Sequence, residues 1–166
     1  MPNDITPEKA KAYIIRIVQA DGRDRQATSI LEDLVKTNPS LLIPNYSILL
    51  ESLSNKSPIA VKRDLLRVMQ YLPVQDETAG ILYQQCMEFL LDADISIAVK
   101  AYSMTICANI VDQYPEMSEE LEAVIRELMI MGSPAIMSRG RHVLKRLTKV
   151  KSKEKFRIRH DDQQRI

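Results

Sequence analysis

The sequence predicts an all-α fold, an α-solenoid of about four helix pairs, and three observations carry that prediction. Apolar residues recur at spacings of three and four along almost the whole chain, and no period-two run is long enough for a strand outside the C-terminal tail. Only four glycines occur in 166 residues, too few for the many tight turns of an all-β fold. A two-helix unit also returns. Ile59-Ala60-Val61-Lys62 reappears as Ile97-Ala98-Val99-Lys100, 38 positions on, and Ser57-Pro58 reappears as Ser133-Pro134 after 76, twice that offset. A recurring helix pair of this length is the mark of a helical solenoid, in which each unit buries its apolar face against its neighbours.

Each element carries its own local signals. Thr6-Pro7-Glu8 opens the first helix: Thr caps, Pro suits the first helical position, and Glu favours the positive end. Ala10, Tyr13, Ile14, Ile17 and Val18 then keep the helical period until Asp21-Gly22 breaks it. Asp24 starts the second helix, with Ala27, Ile30, Leu31, Leu34 and Val35 on one stripe, and Asn38-Pro39 stops it. The second pair begins near Pro44 with Tyr46, Leu49, Leu50 and Leu53 inward. After Ser54-Asn55 it restarts at the cap Ser57-Pro58, with Val61, Leu65, Val68, Met69 and Leu72 as far as Pro73.

The third pair begins at Asp76-Glu77, with Ala79, Leu82, Tyr83, Cys86, Phe89 and Leu90 inward, and Asp92 and Asp94 mark its turn, Asp94 as a cap. The helix after that turn lies in Ile95 to Val111, which carries one formal charge, Lys100. A segment so apolar all round is packed on more than one side, so it is the expected central helix. It is short for a membrane span, which wants about 20 apolar residues, and Lys100, Ser103, Thr105 and Asn109 interrupt it. Tyr114-Pro115 closes it. The fourth pair starts at Ser118-Glu119-Glu120 with Leu121, Val124, Ile125 and Leu128 inward. Gly132 is placed to end that helix in a left-handed conformation, and Ser133-Pro134 opens the last helix, with Met137, Val143, Leu144 and Leu147.

The repeat resembles the HEAT and armadillo-like families, whose second helix often opens with a Val-Lys or Val-Arg step, here Val61-Lys62 and Val99-Lys100. The HEAT pattern also places an Asp six residues before that base, matched by Asp94 and Lys100. Lys56 stands where the Asp before Lys62 belongs, and the fourth repeat has Ser138 in place of the base. The resemblance covers about residues 4–148. It implies a right-handed superhelix over residues 1–148, with a basic tail over 149–166, and a binding role rather than catalysis. Some HEAT-like proteins are glycosylases acting on alkylated DNA bases and rely on tryptophans and an aspartate around a cleft; this sequence has no Trp, which speaks against that enzyme class.

No catalytic, cofactor or metal signature stands out. His142 sits among Arg141, Lys145 and Arg146, with no carboxylate at helical spacing to orient it as a base. Asp92-Ala93-Asp94 lacks the glycine and closing glutamate of a calcium loop. Cys86 and Cys107 fall in apolar helical patterns, where free thiols behave as small hydrophobes. The N-terminus lacks the apolar core of a signal peptide, so the expected setting is the cytoplasm, with no membrane and no small-molecule substrate.

Charge is the unusual feature. The net charge of +1 conceals a body of residues 1–138 at −7 and an end of 139–166 at +8. The second helices of HEAT-like stacks line the concave face, so Lys62, Arg63, Arg67, Lys100, Arg139 and Arg146 are the expected exposed cations there. Arg141, Lys145, Lys149, Lys151, Lys153, Lys155, Arg157 and Arg159 extend the basic set along the last helix and tail. Two functions follow: a non-enzymatic module that binds a protein partner, and, as the alternative, binding of nucleic acid or another polyanion through these bases. Phe156 is the only aromatic residue in the basic run, which gives little support to a stacking platform for single strands. The tail also admits three other readings: a solvated cap, a segment folded back on the acidic body, and an extended arm or edge strand over 153–159.

Overall fold

The computed structural model describes residues 5–54 and 56–163, with side chains described through Ile158, so Asn55 and the side chains of Arg159 and His160 lie outside the described part. Among the described residues there are eight α-helices and no strand: α1 (Pro7–Gln19), α2 (Arg25–Thr37), α3 (Tyr46–Ser52), α4 (Ile59–Met69), α5 (Asp76–Leu91), α6 (Ile97–Val111), α7 (Ser118–Ile130) and α8 (Pro134–Gln163). They form four sequential pairs, and α4 and α6 start at the two residues the 38-residue repeat equates. The chain divides into two compact units, residues 1–78 and 79–166.

In the first unit, the Thr6 hydroxyl accepts the Lys9 N–H at 3.3 Å, which makes the predicted cap, and the Asp24 carboxylate accepts that of Ala27 at 2.9 Å, capping the helix expected to start there. Between α1 and α2 the backbone turns left-handed at Asp21 (φ 51°) and Gly22 (φ 72°), and the Gly22 N–H reaches back to the Ile17 carbonyl at 2.9 Å. A Cβ on Gly22 would also lie 2.5 Å from the Ala60 carbonyl carbon, so glycine is required there for conformation and for space. Ala10, Ile14 and Ile17 of α1, Leu31 and Leu34 of α2, Leu49 of α3 and Val61, Leu65 and Leu66 of α4 make a buried core. Tyr13 and Ile30, assigned to the apolar stripes, sit half-buried at the margin, and Val18 is exposed.

Ser57 does not cap α4. Pro58 occupies the cap position with no side-chain bond, and the Ser57 hydroxyl instead donates to the Ser52 carbonyl at 2.8 Å, closing the α3–α4 loop.

In the second unit, α6 is enclosed as its composition predicts, with Val99, Met104, Ile106, Cys107, Ala108, Ile110 and Val111 all buried. Its cap is Ser96, whose hydroxyl accepts the Val99 N–H at 3.4 Å. Asp94 does not serve; its own N–H donates to the Asp92 carboxylate at 2.9 Å, holding the turn before the helix. Cys86 and Cys107 are free and buried, and burial, with Cys86 beside it, pushes the Cys107 thiol up. Ser133 caps α8 through the Ile136 N–H at 3.4 Å. Gly132 is not left-handed; α7 ends at Ile130, with Met131 as its C-terminal cap. Gly140, within α8, is a point of close approach: a Cβ there would meet the Met129 sulfur of α7 at 2.5 Å.

The largest departure from expectation is the tail. α8 runs 30 residues without a break, through the boundary at 148 and on to Gln163, so residues 153–159 are helix and not an extended arm. Beyond Gly140 the chain has no Gly or Pro and is rich in Lys, Arg and Leu, good helix formers. The alternation of Phe156 and Ile158 with bases would stabilise a strand only against a partner strand, and none is present among the described residues.

Candidate functional site

The predicted cations fall into two groups with opposite surroundings. On α4, Lys62 is only 6% exposed, so the expectation that it offers exposed charge is corrected: its neighbours along the helix, Val61, Asp64, Leu65 and Leu66, are buried with it. Arg63 donates through Nε to the buried Asp64 carboxylate at 2.7 Å, and the Thr28 hydroxyl of α2 donates to the other Asp64 oxygen at 3.2 Å. Arg67 pairs with Glu32 of α2 at 2.5 Å, and Lys36 reaches the same carboxylate at 2.8 Å. Burial pushes the Glu32 carboxyl up, and the hydrogen bonds from Lys36 and Arg67 outweigh it, leaving Glu32 below the usual range. Lys36 also lies over the Tyr71 ring, 4.9 Å from its centroid. Arg63 and Arg67, one turn apart, share a concavity of about 260 Å³ with Thr28, Asp64 and Arg25 at the start of α2. Arg25 was not among the residues singled out from the sequence. Nothing in its local pattern marks it, because only the packing of α2 on α4 brings it there.

On α8 the inner cations are paired and the outer ones meet no described carboxylate. Arg139 donates to the Thr105 hydroxyl of α6. Arg146 donates to Asn109 at 3.0 Å and pairs with Asp112 at 2.6 Å. Lys151 pairs with Glu122 at the start of α7 at 2.6 Å, and Arg126 reaches the same carboxylate at 2.7 Å. Hydrogen bonds from Lys151 and then Arg126 hold the Glu122 carboxyl below its ordinary range. The stretch of α8 around Lys151 therefore does lie back on the acidic start of α7, and Lys155 shares a cleft with Glu116 and Glu119.

Arg141, Lys145, Lys149, Lys153 and Arg157 follow one i, i+4 row along α8. All five are exposed and make no ion pair with a described carboxylate. Lys149, Lys153 and Arg157 join Arg146, Asp112 and Pro115 around a cleft of about 530 Å³.

Lys100 sits apart from both groups. It is half-buried at the rim of an apolar cleft of about 530 Å³, walled by the end of α5, the start of α6, the end of α7 and the start of α8. Leu91, Ile97 and Met131 on its walls are 64%, 49% and 93% exposed. No sequence signal marked this cleft, since each of these residues reads as ordinary stripe or turn.

The helix pairs, their repeat and their buried stripes agree with a comparison against known families: the HEAT repeat domain family matches residues 7–147. The chain belongs to the HEAT repeat family. No curated protein and no solved structure matches it. HEAT repeat domains are scaffold-type modules and characteristically non-catalytic. Among the described residues no group of three or more His, Cys, Asp or Glu side chains is placed to hold a metal ion, and no helix is long and apolar enough to cross a membrane. His142 is exposed, with no described carboxylate paired to it.

Proposed function

We propose that this HEAT repeat domain is a non-enzymatic interaction module of the cytoplasm that binds a protein partner, through a segment of that partner that is both apolar and acidic. The apolar cleft of the second unit carries the reading. Leu91, Ile97 and Met131 stand open to solvent around a concavity already lined by Leu90, Val124 and Leu128. Open apolar surface of this kind marks contact with another apolar surface, commonly the stripe of an amphipathic helix. The acidic character follows from the row Arg141 to Arg157, where cations without a described ion pair favour an acidic approach. In this reading residues 1–148 supply the cleft and 149–166 a basic arm, although α8 joins them.

The test is selection of helical peptides from a display library against the full chain. Enrichment of apolar residues at i, i+3, i+4 and i+7 with acidic residues between them is expected, and Met131→Glu together with Ile97→Asp should abolish the binding. Selected peptides without acidic residues, or unaffected by those substitutions, would reject it.

The exposed row on α8 favours a second reading, contact with nucleic acid. Five phosphate contacts would give a slope of log K against log salt of about −4 to −5 on duplex DNA. Removing 149–166 should flatten that slope on all sequences alike, because phosphate contacts carry little sequence information. Absence of duplex binding at low salt eliminates this reading and leaves the first intact.

A further inference from the structure

The Arg25, Arg63 and Arg67 concavity lies in the first unit and shares no residue with the apolar cleft or the α8 row. Three guanidiniums line about 260 Å³ together with the Thr28 hydroxyl and one carboxylate, Asp64. Two of the three are held from behind. Asp64, 3% exposed, accepts from Arg63 Nε and from Thr28; Glu32, 8% exposed, accepts from Arg67 and from Lys36. A guanidinium has five donors in a fixed fork, so a bond made by one edge orients the rest of the fork. Arg25 is exposed and makes no ion pair with a described residue.

The charges are also unequal. Among the described residues that line or back the hole, Arg25, Arg63, Arg67 and Lys36 stand against Asp64 and Glu32, a surplus of two positive charges around about 260 Å³. A protein that needed only to satisfy Asp64 and Glu32 has done so with Arg63 and Lys36; Arg25 and the pairing of Arg67 exceed that need.

We infer that this concavity is a binding site for a phosphomonoester, a phosphoserine or phosphothreonine on a protein partner. The ligand must be anionic, compact and about doubly charged. A phosphomonoester carries about −1.5 to −2 charges at pH 7 with three acceptor oxygens, which matches the surplus and the planar forks of three arginines. A phosphodiester in a nucleic-acid backbone carries one charge per phosphate and is held by cations repeated along a track. Here the hole is single and carboxylates stand in and behind its wall, so an isolated terminal dianion fits and a running backbone does not. Thr28 can donate to the same group when its hydroxyl turns from Asp64.

The test uses the full chain and a short Gly/Ala peptide with one central phosphoserine, beside its unphosphorylated and glutamate counterparts and inorganic phosphate. Titrations are followed by NMR at the Arg side-chain N–H groups and the Thr28 amide. The expected result is saturable shifts at Arg25, Arg63, Arg67 and Thr28 with the phosphopeptide. Affinity should be at least about tenfold above that of the glutamate peptide, and should fall as the phosphate loses its second charge below its pKa near 6. Arg25→Ala, at an exposed position with no described ion pair, should keep the fold by circular dichroism and lose about tenfold in affinity, the scale of one charge-assisted bond.

Lys145→Gln with Lys149→Gln and Lys153→Gln should leave phosphopeptide binding unchanged, which separates this site from the α8 surface. Any of four results overturns the inference: no shifts at millimolar phosphopeptide, unchanged affinity in Arg25→Ala, equal binding of the glutamate peptide, or inorganic phosphate binding as tightly as the peptide. Equal shifts at these residues with an oligonucleotide lacking a terminal phosphate would also overturn it in favour of a diester.

Discussion

α4 and α8 are both second helices of their pairs and both are rich in bases, yet they use them differently. On α4 every predicted cation is buried or ion-paired: Lys62 is buried, Arg63 is on Asp64 and Arg67 is on Glu32. On α8 the cations that face α6 and α7 are likewise paired, but a row of five along the outer face meets no described carboxylate. The difference follows from what lies opposite. α2 presents Thr28 and Glu32 to α4, whereas α8, the last helix, has an outer side with no described helix to answer it. The same residue type therefore reports packing in one place and an open surface in the other.

The largest expected effect tests the α4 side. Asp64→Ala removes a buried acceptor and leaves Arg63 and Thr28 without it, so a urea melt should show a loss of about 1–3 kcal/mol. A loss too small to measure would mean the α4 pairs are incidental and the contrast with α8 is empty. A smaller effect separates the starts of the two helices. Ser133→Ala should cost about 0.5–2 kcal/mol by removing a cap, and Ser133→Asp should restore most of it. Ser57→Asp should restore nothing relative to Ser57→Ala, because position 57 holds the loop through Ser52 and caps no helix.

Smaller still is the effect of neutralising the outer row. Lys145→Gln, Lys149→Gln and Lys153→Gln together should change thermal stability by no more than about 0.5 kcal/mol per site, as for exposed positions without partners. A clear drop in the melting temperature would mean these lysines are paired and the row is not a free surface.

This contrast was only partly legible in the sequence. The helix pairs were, because Ile59–Lys62 and Ile97–Lys100 repeat a local pattern and prolines at 39, 73 and 115 follow the first three second helices. The apolar wrapping of α6 was legible from composition alone. Which bases are spent was not. Lys62 stands at the same repeat position as Lys100, yet one is buried and the other half-buried at a cleft rim. Arg25 joins Arg63 and Arg67 across some 40 residues of chain, through packing that no local spacing encodes. The Ser-Pro pair misleads for a similar reason: both copies precede a helix, but Pro58 itself holds the N-cap position of α4, which leaves Ser57 one residue outside it in the loop. The tail misleads because alternation favours a strand only where another strand can pair with it.

The smallest expected effect concerns the docked half of α8, where a paired cation lies one turn from unpaired ones. Lys151 donates to Glu122 at 2.6 Å, and that bond, together with the weaker one from Arg126, holds the Glu122 carboxyl below its ordinary value near 4.5. A carboxyl whose folded pKa is depressed stabilises the fold above its unfolded pKa, and that contribution is lost as pH falls through the folded value. The protection factors of amides around 151, after correction for the intrinsic exchange rate at each pH, should therefore fall only as the solution is acidified below the ordinary carboxyl range, while neutral pH leaves them unchanged. Lys151→Gln removes the larger of the two favourable bonds. The Glu122 midpoint, followed by NMR of its side-chain carboxyl carbon, should rise toward the ordinary value, with Arg126 still holding part of the depression. The acid-dependent exchange near 151 should disappear with it. Glu32, held by Lys36 and Arg67 in the other unit, should keep its midpoint in the same variant and serves as the internal reference. An unchanged Glu122 midpoint would show that Lys151 does not rest on α7 in solution. The second half of α8 would then be an open basic helix on every side, and its likeness to the paired cations of α4 would vanish.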